Sequence, residues 1–342
     1  MSESVANDGV PLLLHAYPPS LVDSAVAACG RTEKRRRLLS ARTMVYFVLA
    51  MDLFAPAPYQ EVMDRLTVGL REAGLWGEGP LPSRASIFQA RERLGPEPLF
   101  ELQRSVARPI AHPGTPGTHW GGLRLLHLEQ QFVDLPDRAC PASRLRTVAV
   151  VETGTRTVLD AAVGEQDPDA GLLRSHSPGT LLTVCGQPLR LDHWDAAAEA
   201  RTALLWQLPL GQRPRPTPER LLPDGSFLTR LAGRPVRVLA PGVFTNLLDA
   251  GRAPGADLLG ILARTDAGRG ALREALLGPG REKGPLTSRT SDGARQEVCG
   301  RLLVHYALRR SGRTWAAHRP RVVREHHGQS RLNQTALSLV GR

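Results

Sequence analysis

At 342 residues, 42% of them hydrophobic, the chain can bury two domain cores, or one large core with an arm. No stretch approaches the ~18 uninterrupted apolar residues of a membrane helix, and the acidic opening MSESVANDGVPLLLHAYPPS lacks a basic n-region, so a cytoplasmic, nucleoid-associated protein with no membrane contact is expected. The formal net charge of +11 is carried almost wholly by arginine, Lys34 and Lys283 being the only lysines, and arginine grips phosphate bidentately. GC-rich codons explain the choice of arginine over lysine but not the excess of base over acid. The four cysteines, Cys29, Cys140, Cys185 and Cys299, lie too far apart for zinc-ligand spacing and read as buried or idle thiols.

Residues 1–19 are expected to be disordered and residues 20–115 to form a helical, DNA-binding unit. LVDSAVAAC (21–29) is a short amphipathic turn followed by the basic run Arg31-Thr32-Glu33-Lys34-Arg35-Arg36-Arg37. Ser40 can cap ARTMVYFVLAMDLF (41–54), which Pro56 and Pro58 stop. YQEVMDRLTVGLREAG (59–74) repeats apolar Val62, Leu66 and Leu70 at four-residue spacing. Ser83 starts RASIFQARERLG, with Ile87, Ala90 and Leu94 facing inward and Arg84, Arg91 and Arg93 left free to meet DNA. PLFELQRSVARPIA (98–111) completes the bundle, a pattern compatible with a helix-turn-helix.

The period changes near residue 120. GLRLLHL (122–128) alternates as a strand, LRTVAVVE (145–152) and TRTVLDAAVG (155–164) form a hairpin, and SPGTLLTVC (177–185) reads as a buried strand. EQDPDAGLLRSHS, between hairpin and strand, leaves room for a short helix, and strand, hairpin, helix, strand is the opening order of the RNase H-like fold. DHWDAAAEARTALLWQL (192–208) begins as a helix and ends as a strand. About residues 205–246 an inserted small sheet is expected; residues 247–277 are helical in tendency but broken by glycines. SDGARQEVCGRLLVHYALRR (291–310) is an amphipathic helix, and residues 311–342 read as a loose basic tail.

These segments together resemble the insertion element 4 family of transposases, in the lineage common in actinobacteria. The resemblance is carried in colinear order by RRRLLSARTMVYFVLAMDLF (35–54), YQEVMDRLTVGL (59–70), LPSRASIFQARERLGPEPLFELQRSVARPIA (81–111), GLRLLHL with VDLPD (122–137), VVETGTRTVLDAAVG (150–164), LLPDGSFLTRL (221–231) and ARQEVCGRLLVHYALR (294–309). It implies an α+β or α/β architecture: a helical N-terminal domain, then an RNase H-like catalytic domain over 116–310 with a β-rich insertion. The family's three carboxylates bind two Mg²⁺ ions for strand cleavage and transfer. The tail does not match, the chain is short for the family, and a frame-shifted ending from GC-rich DNA would have this composition.

Carried over residue by residue, the resemblance departs at each catalytic position. Glu129 stands where the family has its first Asp, and is the only metal-ligand candidate of the three. Cys185 stands at the second Asp and is a poor Mg²⁺ ligand. The last motif (Tyr, Arg, Glu and Lys on one helix) falls on Leu262, Thr265, Arg269 and Leu276, so a cation replaces the final carboxylate. Mg²⁺, the family's cofactor, is therefore not expected to bind tightly here. Asp134, Asp137, Asp192, Asp195, Asp266 and Glu274 are acids that a displaced site could use, although capping and structural roles fit them better. His318, His326 and His327 lie in the tail without metal-ligand spacing, and Cys185 with His193 lacks a nucleophile-elbow pattern.

The sequence thus reads as a transposase-like protein that binds the terminal inverted repeats of an insertion element and cleaves DNA poorly. Its alternative is a domesticated or relic protein that occupies element ends without catalysis. Arg31, Lys34, Arg35, Arg36, Arg37, Arg84, Arg91 and Arg93 are the candidate DNA contacts, and a homodimer or mixed subunits with an intact transposase would be its assemblies.

Overall fold

A computed structural model describes residues 9–35, 37–136, 144–164, 178–212, 216–278 and 286–312. Six helices come first: α1 (Gly9–Ala16), α2 (Pro19–Ala28), α3 (Ala41–Leu53), α4 (Tyr59–Glu72), α5 (Arg84–Leu94) and α6 (Glu97–Val106). Ser40 and Ser83 cap α3 and α5 by accepting from the amides of Thr43 and Ser86, which satisfies donors that a first helical turn leaves unpaired. The four-residue apolar spacing in α4 buries Val62, Leu66 and Leu70, as its period requires.

Residues 9–17 are not disordered. α1 buries Val10, Leu12 and Leu13, and Tyr17 beyond it donates its hydroxyl to the carbonyl of Leu303 at 2.6 Å. An eight-residue segment with so little polar face has no helical signal of its own. It is stable because α3 and α4 accept its apolar side chains, closely enough that a Cβ on Gly69 would meet Val10 at 2.5 Å.

The β-region contains β1 (His119–Trp120), β2 (Leu123–Asp134), β3 (Arg144–Glu152), β4 (Thr157–Gly164), β5 (Thr180–Cys185), α7 (Leu191–Glu199), β6 (Ala203–Gln207), β7 (Arg220–Leu221), β8 (Phe227–Leu231), β9 (Arg234–Ala240) and β10 (Val243–Thr245). Three helices follow: α8 (Gly255–Gly268), α9 (Ala271–Leu277) and α10 (Ser291–Arg310). The strands form one ten-stranded mixed sheet in the order β4-β3-β2-β5-β6-β10-β9-β8-β7, with β1 on β2. β5 runs parallel to both β2 and β6, whereas β3 and β4 fold back as the antiparallel hairpin.

Two boundaries differ from the sequence expectation. The strands of the insertion do not make a separate small sheet, because β10 pairs with β6 and continues the main one. The division near residue 115 also does not separate two cores. α10 contributes Cys299, Leu303, Val304 and Leu308 to the helical core, while its Ala294, Val298 and Leu302 pack with α9 against β3 and β4. Strand alternation supplies the sheet's two faces. Leu126, Leu128, Leu182 and Val184 meet Trp194 of α7 on one side; Leu125, Leu181, Cys185 and Leu205 meet Leu258, Ile261 and Leu262 of α8 on the other.

Among the described residues no helix is long and apolar enough to cross a membrane. Cys140, Arg36, Asp137, the segment 165–177 and the tail histidines lie outside the described residues.

Candidate functional site

Two groups of predicted site residues can be located. The first is a basic depression of about 480 Å³ where the loop after α2 meets the start of α3 and the end of α5. Arg31, Lys34, Arg35, Arg37 and Arg93 all line it, although Arg93 is more than fifty residues away in sequence. The loop is pinned rather than loose. Glu33 accepts the amide of Ala41 at the first turn of α3 at 2.6 Å, and Arg31 donates to the Arg93 carbonyl at 3.3 Å while pairing with Glu97 at 3.2 Å. Of these bases only Arg31 has a carboxylate partner among the described ion pairs. Arg84 is exposed at the opposite end of α5, its guanidinium over the Phe88 ring.

Arg91 is not a surface residue and cannot meet DNA. It is 4% exposed, and it donates to Gln296 Oε1 at 3.1 Å, to the Gly293 carbonyl at 3.1 Å and to the Tyr59 hydroxyl, with Glu297 3.8 Å away. Helical spacing puts residues 87, 90, 91 and 94 on one face, so position 91 falls inside the apolar arc that Ile87, Ala90 and Leu94 define. That signal was present in the sequence; the acceptors on α10 that make a buried guanidinium tolerable were not.

The second group is Glu129, Cys185 and Arg269, which the sequence resemblance set against the family's catalytic residues and which lie at the α8–α9 junction on the α8 side of the sheet. Leu128 pairs with Val184 in parallel register, so the next residues, Glu129 and Cys185, sit side by side on the same face. Glu129 lies within β2 rather than at its end. Its Oε1 accepts the amides of Gly270 at 2.8 Å and Ala271 at 3.1 Å, its Oε2 accepts the amide of Leu272 at 2.8 Å, and His127 Nε2 lies 3.0 Å from Oε1. Burial alone would raise its carboxyl pKa, but the hydrogen bond and charge of His127 and the amides outweigh burial and hold it at about 2. An ionised carboxylate only accepts, so His127 Nε2 carries the hydrogen while Nδ1 meets the Thr153 hydroxyl at 2.9 Å. His127 escaped the sequence reading, although its i,i+2 spacing from Glu129 places it on the same face.

Cys185 is buried, and burial pushes its thiol up to about 11 against the lowering influence of Arg269. Arg269 pairs with Asp266 at 3.5 Å. The four residues that the resemblance set against the family's last motif do not share one helix. Leu262 and Thr265 lie on α8 and Leu276 on α9, with a break at Arg269 and Gly270, whose φ of +115° suits only glycine.

Among the described residues the other acids available to a displaced site are also held by arginine: Asp134 by Arg144 (2.7 Å), Asp192 by Arg190 (2.7 Å), Asp195 by Arg234 (2.5 Å), and Glu274 by Arg156 and Arg309 (3.2 and 2.8 Å). Among the described residues no three His, Cys, Asp or Glu side chains gather as a metal site. His193 is fully buried beside the Trp206 ring, 8 residues beyond Cys185 in sequence.

Residues 8–103 match the family described as insertion element 4 transposase N-terminal. The transposase InsG for insertion sequence element IS4 of Escherichia coli (strain K12) is 24% identical over 335 residues, covering 85% of this chain and 74% of that protein. The piggyBac transposase synaptic complex with hairpin DNA, a cryo-EM structure, aligns over 90% of this chain and 76% of its own, at 9% identity and a TM-score of 0.39. The first helices, through α5 and most of α6, thus match the family's N-terminal region, and a bacterial transposase is similar across most of the chain. The match over residues 8–103 and the similarity across most of the chain support an insertion element 4 family transposase.

Proposed function

We propose that this transposase binds the ends of an insertion element through its helical region and is impaired in metal-dependent strand cleavage. The observation that carries the DNA-binding half is the gathering of Arg31, Lys34, Arg35, Arg37 and Arg93 around one depression, four of them without a described carboxylate partner. Phosphate contacts of this kind supply sequence-independent affinity, and recognition of the inverted repeats needs base contacts in addition.

The sheet order supports an RNase H-like catalytic region. A β2-β3-β4 meander is followed by β5 parallel to β2 and β6 parallel to β5, which brings the family's first and second catalytic positions onto neighbouring strands. The chemistry of the three side chains supports impairment. Mg²⁺ takes hard oxygen ligands in octahedral geometry, and a thiol, a guanidinium and a carboxylate already bonded to three amides do not fit it. That engagement of Glu129 favours the second reading, a relic or domesticated protein that occupies element ends without cutting, alone or in mixed assemblies with an intact relative.

Fluorescence anisotropy with a duplex carrying the element's terminal repeat, and with a scrambled duplex, across a salt series tests the proposal. Each phosphate contact contributes about 0.9 to the slope of log K against log salt, so Arg35→Ala with Arg37→Ala should flatten it by about 2. An unchanged slope and affinity would remove the depression from the interface. Plasmid nicking by the natural chain in Mg²⁺ would overturn the impairment.

A further inference from the structure

We propose that Glu129 is a positioning residue that ties β2 to the α8–α9 junction without a metal ion. The inference deepens the impaired-cleavage reading and rests on it only for the comparison with a metal-holding Asp; the contacts themselves are independent of it. Three consecutive amides, Gly270, Ala271 and Leu272, converge on one carboxylate 141 residues and more away in sequence, and that carboxylate is 4% exposed.

The geometry explains why Glu suits this position. Consecutive amides at the first turn of a helix point along its axis toward a common acceptor, and α9 begins there because Gly270 turns the chain in the left-handed region. A carboxylate spanning Oε1 and Oε2 meets all three donors, and charge-assisted bonds of this kind are the strong ones. His127, held by Thr153 at its other nitrogen, fixes the carboxylate from the strand side. Asp is one methylene shorter and would leave at least one of the three amides beyond hydrogen-bond reach of both oxygens. Arg269, at the same junction, pairs with Asp266 at 3.5 Å.

Hydrogen exchange on the full chain, without and with millimolar Mg²⁺ or Mn²⁺, reads the tie directly. The amides of Gly270, Ala271 and Leu272 should be protected to the same degree in both conditions. Rapid exchange at these amides, or protection that appears only with the metal, would overturn the assignment. Thermal melts of Glu129→Asp and Glu129→Gln give a second readout. Both should lower Tm by several degrees and neither should recover with metal, whereas an unchanged Tm or recovery in Mg²⁺ would refute it. Anisotropy on the same samples keeps the two readings apart, since loss of DNA binding would count against the proposed function and leave the tie intact.

Discussion

Arg91 and Arg93 lie two residues apart on α5, and the structure buries the first and exposes the second. Arg91→Ala removes a guanidinium that is 4% exposed, takes a donor from Gln296 Oε1 and from the Gly293 carbonyl, and leaves Glu297 without its nearest cation. Glu297 keeps the Thr287 amide at 2.8 Å and the Thr287 and Ser288 hydroxyls, so its charge is only partly compensated. Breaking a buried pair in this way costs about 3–5 kcal/mol. Each kcal/mol moves the melting midpoint of a chain this long by about 2 °C, so a fall of about 6–10 °C is expected. Arg91→Lys should lie in between, because an ammonium cannot span acceptors arranged for a planar fork. Arg93→Ala is exposed and its backbone carbonyl still takes the bond from Arg31, so its midpoint should move by no more than about 1 °C. Differential scanning fluorimetry gives the midpoints, and anisotropy on the same samples gives DNA affinity. Arg93→Ala is expected to lower DNA affinity; if Arg91→Ala melted with the natural chain and lost affinity in the same way, the burial of Arg91 and the reasoning built on it would be wrong.

Two further predictions concern stability. Burial, chiefly, and the charge of Arg190 lower the His193 pKa from 6.5 to about 4, against the opposing pull of Asp192 and with Arg146 adding to the lowering. The unfolded chain therefore takes up a proton below pH 6.5 that the folded chain refuses until about 4, and stability should fall by about 3 kcal/mol across that window and no further below it. His193→Phe should flatten this limb of the pH–stability curve; an unchanged limb would show that His193 is not buried neutral. Gly69→Ala would bring a methyl to 2.5 Å from Val10 Cβ and should cost about 1–3 kcal/mol. Adding Val10→Ala should recover part of that loss in chemical denaturation, and strict additivity of the two would mean α1 is not docked on α4.

Much of the architecture was written locally. Ser40 and Ser83 announce α3 and α5, the 62–66–70 spacing announces α4, and the β-branched hairpin around Thr153-Gly154 announces β3 and β4, because capping and periodicity depend on neighbours a few residues away. The basic run at 31–37 was likewise legible as charge, and Glu129, Cys185 and Arg269 stood out as departures expected from a family resemblance. Tertiary structure alone decided where those residues act. It folded α1 onto α4, joined the insertion to the main sheet through β10, shared α10 between two cores, and withdrew Arg91 from the surface. It also brought Glu129 to amides at 270–272. Each of these turns on partners tens to hundreds of residues away, and a buried charge reveals its role only when the groups that solvate it in place of water can be named.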